Sequence, residues 1–195
     1  MAKNAKNHDL SRLAPFDPDD KSLLQVIIET PRGSRNKFAY DPRQNVFEVK
    51  AVLPSGMTFP YEFGFVPSTK ADDGDPIDVL VLMDEPATPG CLAKCRLVGA
   101  IEGEQIDKQK GKKVRNDRLL GIERSNHEFA DVKDIKDLDK KLLEELEKFF
   151  VNYHDMEGKK YKVLGLVGAK NALKLLKKTM RRLTWPNWKT GSRTR

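Results

Sequence analysis

The chain has 195 residues, 38% hydrophobic and 33% charged, which is long enough to bury a sizeable core as one domain and too apolar to stay disordered. Its longest apolar run, at 79–83, has strand length and is far short of the roughly 20 residues that cross a membrane as a helix. The net charge of +7 is uneven: no acid follows Glu157, the last 38 residues hold twelve Lys or Arg, and the first 157 therefore carry −5. An acidic body argues against nucleic acid as the partner of the whole domain and implies that a bound anion meets specific cations or metal ions. Residues 1–10 lack the apolar stretch of a signal peptide, and Cys91 and Cys95 make neither a disulfide framework nor a zinc pattern. These features fit a reduced, cytoplasmic protein with no membrane partner.

In chain order, residues 1–20, with Pro15 and Pro18, read as a loosely ordered N-terminal arm, 21–184 as the folded domain and 185–195 as a basic tail. Apolar and β-branched runs bounded by Pro, Gly and Asp predict strands over 22–29, 45–53, 59–66, 78–83, 92–101 and 118–122. Between the last two, 105–116 reads as a charged loop around Lys110-Gly111-Lys112. From 138, Leu142, Leu146, Phe149, Phe150 and Tyr153 form a helical stripe with Asp137 or Asp139 as N-cap. From Ala169 a second stripe runs through Ala172, Leu175, Leu176, Thr179, Met180 and Leu183, ended by Pro186. Its lysines and arginines, with Trp185 and Trp188 beyond, read as a solvated face rather than a nucleic-acid or membrane surface. Short, evenly spaced strands with late helices predict an α+β, mainly β, domain built on a small β-barrel.

One segment carries chemistry: Asp72-Asp73-Gly74-Asp75-Pro76-Ile77-Asp78, running into Val79-Leu80-Val81. On its own it is a polar turn before a strand. Pro76 disfavours the α region at Asp75, so an extended stretch is expected with Asp73 and Asp75 on one side and Asp78 at the strand mouth. Three carboxylates there repel one another unless a cation lies between them, and oxygen-only ligands suit a hard divalent ion, Mg²⁺.

The run D-G-D-P-I-D followed by V-L-V resembles the signature of the family I soluble inorganic pyrophosphatases. I-I-E-T-P at 27–31, N-K-F-A-Y-D at 36–41, F-P-Y-E-F-G-F at 59–65 and F-F-V-N-Y at 149–153 resemble that family's further segments, in its order. The resemblance covers about 23–166 and implies an OB-type closed β-barrel with flanking helices. It implies Mg²⁺-dependent hydrolysis of pyrophosphate to two phosphates, and a homo-oligomer. By resemblance Asp73 and Asp78 are first-metal ligands, Asp75 is aimed at the attacking water, and Glu29 lines the metal cluster. Lys37 pairs with a phosphate and Tyr153 donates a phenolic hydrogen bond to one, while Arg118 matches a phosphate-gripping Lys. Asp107 and Asp117 are the loop carboxylates able to complete the metal set.

The chain also departs from that pattern. Ala39 stands where the family has an acid, Ala51 where it has an Arg, and Phe59 and Phe63 where it has tyrosines. Gln105 and Asn116 fall near metal-binding aspartates, and His154 replaces a Lys. The same fold could therefore serve a catalytically weak or inactive protein that binds phosphate, pyrophosphate or another phosphorylated ligand.

Overall fold

The computed structural model describes residues 9–107 and 111–180. Arg181, Arg182 and Leu183 of the second stripe, and the basic tail with Trp185, Pro186 and Trp188, lie outside the described residues. Nine strands and two α-helices follow one another there as β1 Leu23–Thr30, β2 Asn36–Asp41, β3 Val46–Val52, β4 Glu62–Phe65, β5 Asp78–Leu82, β6 Leu92–Asp107, β7 Lys113–Arg115, β8 Arg118–Glu123, α1 Lys140–Met156, β9 Lys159–Gly168 and α2 Ala169–Met180.

Strand β1 pairs with both β4 and β6, and β4–β5, β5–β8 and β8–β6 complete a closed ring of five strands, the small barrel expected of this mainly β chain. Closure satisfies backbone groups that an open edge would leave bare. Strand β6 is the spine: its first half pairs with β1, its middle with β8 and its far end with β7 and β9. The segment 105–116 is thus not simply a loop, because β6 runs to Asp107 and β7 folds back on it through Gln105↔Val114. Strand β9 was missed by the sequence reading because its outward positions carry Lys160, Lys162, Leu164 and Leu166, which blur the polar–apolar alternation. The β2–β3 pair stands apart as its own two-stranded sheet.

Side chains alternate along the ring into two cores. Val79, Val81, Leu119, Ala100 and Cys95 pack beneath α2 with Ala172 and Leu176. Leu80, Leu82, Leu120, Ile122 and Ile101 pack beneath α1 with Leu143, Leu146, Phe150 and Tyr153. Helix α1 begins at Asp139, whose carboxylate accepts from the N–H groups of Lys141 and Leu142, one of the two caps expected. The other, Asp137, closes a capping box with Asp134 on a preceding 3-10 turn.

Of the arm expected over 1–20, residues 9–20 lie against the ring. Gln25 Nε2 donates to Ala14 O at 2.7 Å, Ser68 Oγ donates to Leu13 O at 2.8 Å, and Lys94 pairs with the buried Asp17 at 2.6 Å.

Candidate active site

The acidic segment is held by its own backbone. Thr69 Oγ1 donates to Val66 O at 2.6 Å and accepts from Ile77 N at 3.0 Å, which ties the two ends of the loop. Between them Gly74 N donates to Ala71 O at 3.2 Å, and Asp75 N donates to Asp73 Oδ1 at 3.2 Å. The segment is therefore a tight turn rather than the extended stretch expected from Pro76, made possible by Gly74 at φ +102. It leaves Asp73 and Asp75 exposed and Asp78 half-buried at the start of β5.

Electrostatics link these acids to Glu29 on β1. Burial pushes the Glu29 carboxyl up to about 7, opposed by Lys37 and by the Tyr40 N–H, and the charges of Asp78 and Asp75 add to the rise. Asp78 is also raised by burial, against the pull of Arg118 and Lys37. Asp73 rises to about 6 through partial desolvation and then the charge of Asp78; because it is exposed, solvent screens that shift and it carries little stability. Among the described residues no three or more His, Cys, Asp or Glu side chains close on one metal position. An oxygen-only, mutually repelling set of this open kind fits Mg²⁺, which keeps several waters and needs only one or two direct carboxylates.

Facing the acids is one cation on the β2–β3 hairpin. Lys37 Nζ lies 3.8 Å from Glu29 Oε2, 3.9 Å from the centroid of the Phe63 ring and 5.9 Å from that of Phe59. Both rings are buried, so the residues that lack a tyrosine hydroxyl still form a platform for the ammonium. Tyr40 N donates to Glu29 Oε1 at 2.8 Å, which anchors the hairpin to β1. A register shift in β2–β3 sets Ala51 opposite Lys37, and Lys50 pairs with Glu48.

Arg118 meets Asp78 because β5 and β8 run parallel with these two residues in register; Nη2 is 3.8 Å from Asp78 Oδ2. The rest of Arg118 is buried beneath α1, bonded to His154 Nε2 at 2.7 Å. Tyr153, also buried, donates its hydroxyl to Glu157 Oε1 at 2.8 Å, so that hydroxyl is already engaged. Glu157 and Tyr161 thus belong to the surroundings of the site, and the sequence reading missed both. Glu157 follows the last residue of α1 and Tyr161 lies on β9, neither within a motif that the sequence singles out.

The loop positions separate. Asn116 Nδ2 donates to Gln105 Oε1 at 2.8 Å, a neutral amide pair. Asp117 points to the opposite side of β8 from Arg118, where it accepts from Gly103 N at 3.0 Å and Arg115 Nη2 at 2.7 Å. It borders a cavity of about 320 Å³ shared with Asp72, Glu102, Arg115 and Lys178, apart from the Asp78–Arg118 side. Asp107 ends β6, and its side chain lies outside the described residues. The structure thus brings together Glu29, Lys37, Asp73, Asp75, Asp78 and Arg118, sets Tyr153 behind them and turns Asp117 away.

The comparisons with known proteins agree with one another. The family model "Inorganic pyrophosphatase" matches residues 26–184. The chain is 40% identical over 157 residues to the inorganic pyrophosphatase of Synechocystis, covering 80% of this chain and 88% of that one. It is 36% identical over 160 residues to the enzyme of Halalkalibacterium halodurans, covering 80% and 93%. The crystal structure of inorganic pyrophosphatase from Thermus thermophilus superposes with a TM-score of 0.80 at 33% identity, covering 89% of this chain and 98% of that one. With the ring of strands, both flanking helices and the D-G-D-P-I-D loop in their expected order, this chain belongs to the inorganic pyrophosphatase family of hydrolases.

Proposed function

We propose that this chain hydrolyses inorganic pyrophosphate to two phosphates and depends on Mg²⁺ to do so. The observation that carries the reading is the meeting of Asp73, Asp75 and Asp78 with Glu29 and Lys37 at one mouth, where burial first, and then the charge of neighbouring carboxylates, lifts the Glu29 and Asp73 pKa values. Asp73 and Asp78 would hold the ion, with Asp75 beside them. When bound, Mg²⁺ lowers the pKa of a coordinated water and neutralises phosphoryl oxygens. Asp75 is exposed and accepts the proton of the attacking water as that oxygen bonds to one phosphorus; the bridging P–O bond breaks and the second phosphate leaves. Lys37, steadied by Phe63, holds a phosphoryl oxygen. Tyr153 sits behind this apparatus, where the Glu157 bond competes with phosphate for its hydroxyl.

A second reading is favoured by the Gln105–Asn116 amide pair: two uncharged side chains face each other on the loop that would otherwise add carboxylates. On that reading the chain binds Mg²⁺ and pyrophosphate with little turnover. Phosphate release from pyrophosphate, with and without Mg²⁺ and beside Asp75→Asn, decides between them. Mg²⁺-dependent release lost in the variant supports hydrolysis; a melting temperature raised by Mg²⁺ and pyrophosphate without release supports binding alone. We further propose a homo-oligomer, to be checked by light scattering, and a reducing compartment such as the cytoplasm, which fits the free thiols Cys91 and Cys95.

A further inference from the structure

A continuous set of polar side chains runs from the rim of the site into the protein. Arg118 is 2% exposed, and its guanidinium packs against the rings of Phe150 at 4.3 Å and Tyr161 at 4.7 Å. Nη1 donates to Asn116 O at 3.2 Å, Nη2 is 2.7 Å from His154 Nε2, and Nε has no hydrogen-bond partner. His154, also 2% exposed, stacks on Tyr161 at 4.8 Å, and its Nδ1 lies 3.4 Å from Glu157 Oε2. Tyr161 is fixed in turn by donating to Asn116 O at 3.0 Å.

The chemistry of this contact assigns the imidazole proton. A guanidinium only donates, so Nε2 of His154 must accept, and the ring proton belongs on Nδ1, which faces Glu157. Arg118 from β8 and Lys159 disfavour a second proton, Glu157 favours it, and burial outweighs them all, so the ring titrates at about 4 and is neutral near pH 7.

We propose that His154 is a positioning residue: as a neutral acceptor it locks Arg118 beneath Asp78, and Arg118 acts on that carboxylate rather than gripping substrate phosphate. Three observations carry this. A guanidinium 2% exposed and packed against two rings has almost no surface to offer a ligand entering from solvent. The carboxylate within reach is Asp78, aligned by strand register. A planar fork held at both Nη atoms and packed against two rings has one orientation, whereas a Lys at 118 would present a single rotatable ammonium.

The kinetic part of the test rests on the diphosphatase reading; the spectroscopic part does not. Steady-state hydrolysis of Mg²⁺-pyrophosphate is compared for the full chain, His154→Ala and His154→Gln. Nitrogen-15 NMR of the imidazole and of the Arg118 guanidinium is recorded on the same proteins. Loss of a hydrogen bond to a charged group should lower kcat about 10- to 100-fold in His154→Ala, with KM for pyrophosphate within about twofold of the wild type. His154→Gln, whose Oε1 can accept in the same place, should regain most of kcat. The wild-type ring should be neutral with its proton on Nδ1. Arg118 should give resolved, slowly exchanging signals in the wild type and His154→Gln that average out in His154→Ala.

A raised KM with unchanged kcat in His154→Ala would make Arg118 a phosphate ligand and overturn the proposal, as would a charged ring at pH 7. Arg118 signals indifferent to residue 154 would overturn it too. If the wild type releases no phosphate, the diphosphatase reading fails by itself, and the NMR signals decide the role of His154. Should His154→Ala not fold, His154→Phe, which keeps an aromatic ring and offers no acceptor, takes its place in both measurements.

Discussion

Lys37 rests its ammonium on the face of Phe63, 3.9 Å from the ring centroid, on the side of the hairpin that turns toward Glu29. The ring restrains a flexible four-carbon side chain at low cost and leaves the charge free to meet an anion. Phe63→Leu keeps apolar volume and removes the π face, so KM for pyrophosphate should rise about three- to tenfold. Phe63→Tyr keeps the platform, and its KM should stay within about twofold of wild type. Steady-state kinetics on the pair checks this, and equal KM values for the two variants would count against the platform.

Mg²⁺ should stabilise the fold through the acidic loop. At about 100 times its dissociation constant a ligand adds about 2.7 kcal/mol. In a domain of this size that corresponds to a melting temperature roughly 5–10 °C higher. Asp78→Asn should remove most of the shift, whereas Asp117→Asn, on the other side of β8, should leave it intact. Calorimetry with Mg²⁺ and with chelator reads both.

Glu29 stores a pH-dependent cost. Its folded pKa of about 7 stands above the ordinary 4.5 of a glutamate, so its contribution to stability is fully present below about 4.5 and is lost as pH rises through 7. Glu29→Gln keeps the acceptor for Tyr40 N and removes the charge. In chelator at pH 8 it should be more stable than wild type by about 1–3 kcal/mol, the gap closing toward pH 5. It should also lose activity, and urea denaturation at the two pH values is the measurement.

His154 has the opposite sign. Its folded pKa of about 4 lies below 6.5, so the unfolded chain takes up a proton first and stability is lost as pH falls from about 6.5 to 4. Glu157, lowered to about 2 by the nearby His154 ring and the hydrogen bond from Tyr153 against the cost of its own burial, loses its contribution as pH falls from 4.5 toward 2. Glu29 and Asp73 work against the His154 trend, so the comparison that isolates it is wild type against His154→Gln. Between pH 6.5 and 4 the wild type should lose stability faster than the variant by up to about 1.4 kcal/mol per pH unit, read from urea midpoints.

Gly103 is a steric requirement. A Cβ there would sit 1.9 Å from Tyr161 Oη, the hydroxyl that holds Asn116 O beside Arg118. Gly103→Ala should cost about 1–3 kcal/mol of stability. It should also lower kcat by displacing the ring under Arg118; urea denaturation with kinetics checks both.

Much of the molecule was legible in one dimension because it rests on local rules. The strand runs at 22–29, 78–83 and 118–122 are β-branched or leucine-rich between turn residues, and α1 announces itself through Asp139 and its stripe of Leu142, Leu146, Phe150 and Tyr153. The acidic loop was legible as chemistry because three aspartates within six residues must share a neighbourhood whatever the fold. Its shape was not, since the choice between extended chain and turn lay with a Gly74 φ of +102 and an Asx bond at Asp73.

Long-range pairing decided the rest. Whether Asp117 or Arg118 faces the acids depends on the parity of β8 against β5, a register that no run of residues encodes locally. That Tyr153 spends its hydroxyl on Glu157 and that His154 braces Arg118 depends on where α1 ends over β9. Composition, periodicity and turn chemistry act over a few residues, so the sequence by itself determined the kind of fold, the family and the acidic loop. Burial, register and the partners of buried charges arise only when distant strands close the ring, so the tertiary structure alone decided which side chains meet the loop and in what state of charge.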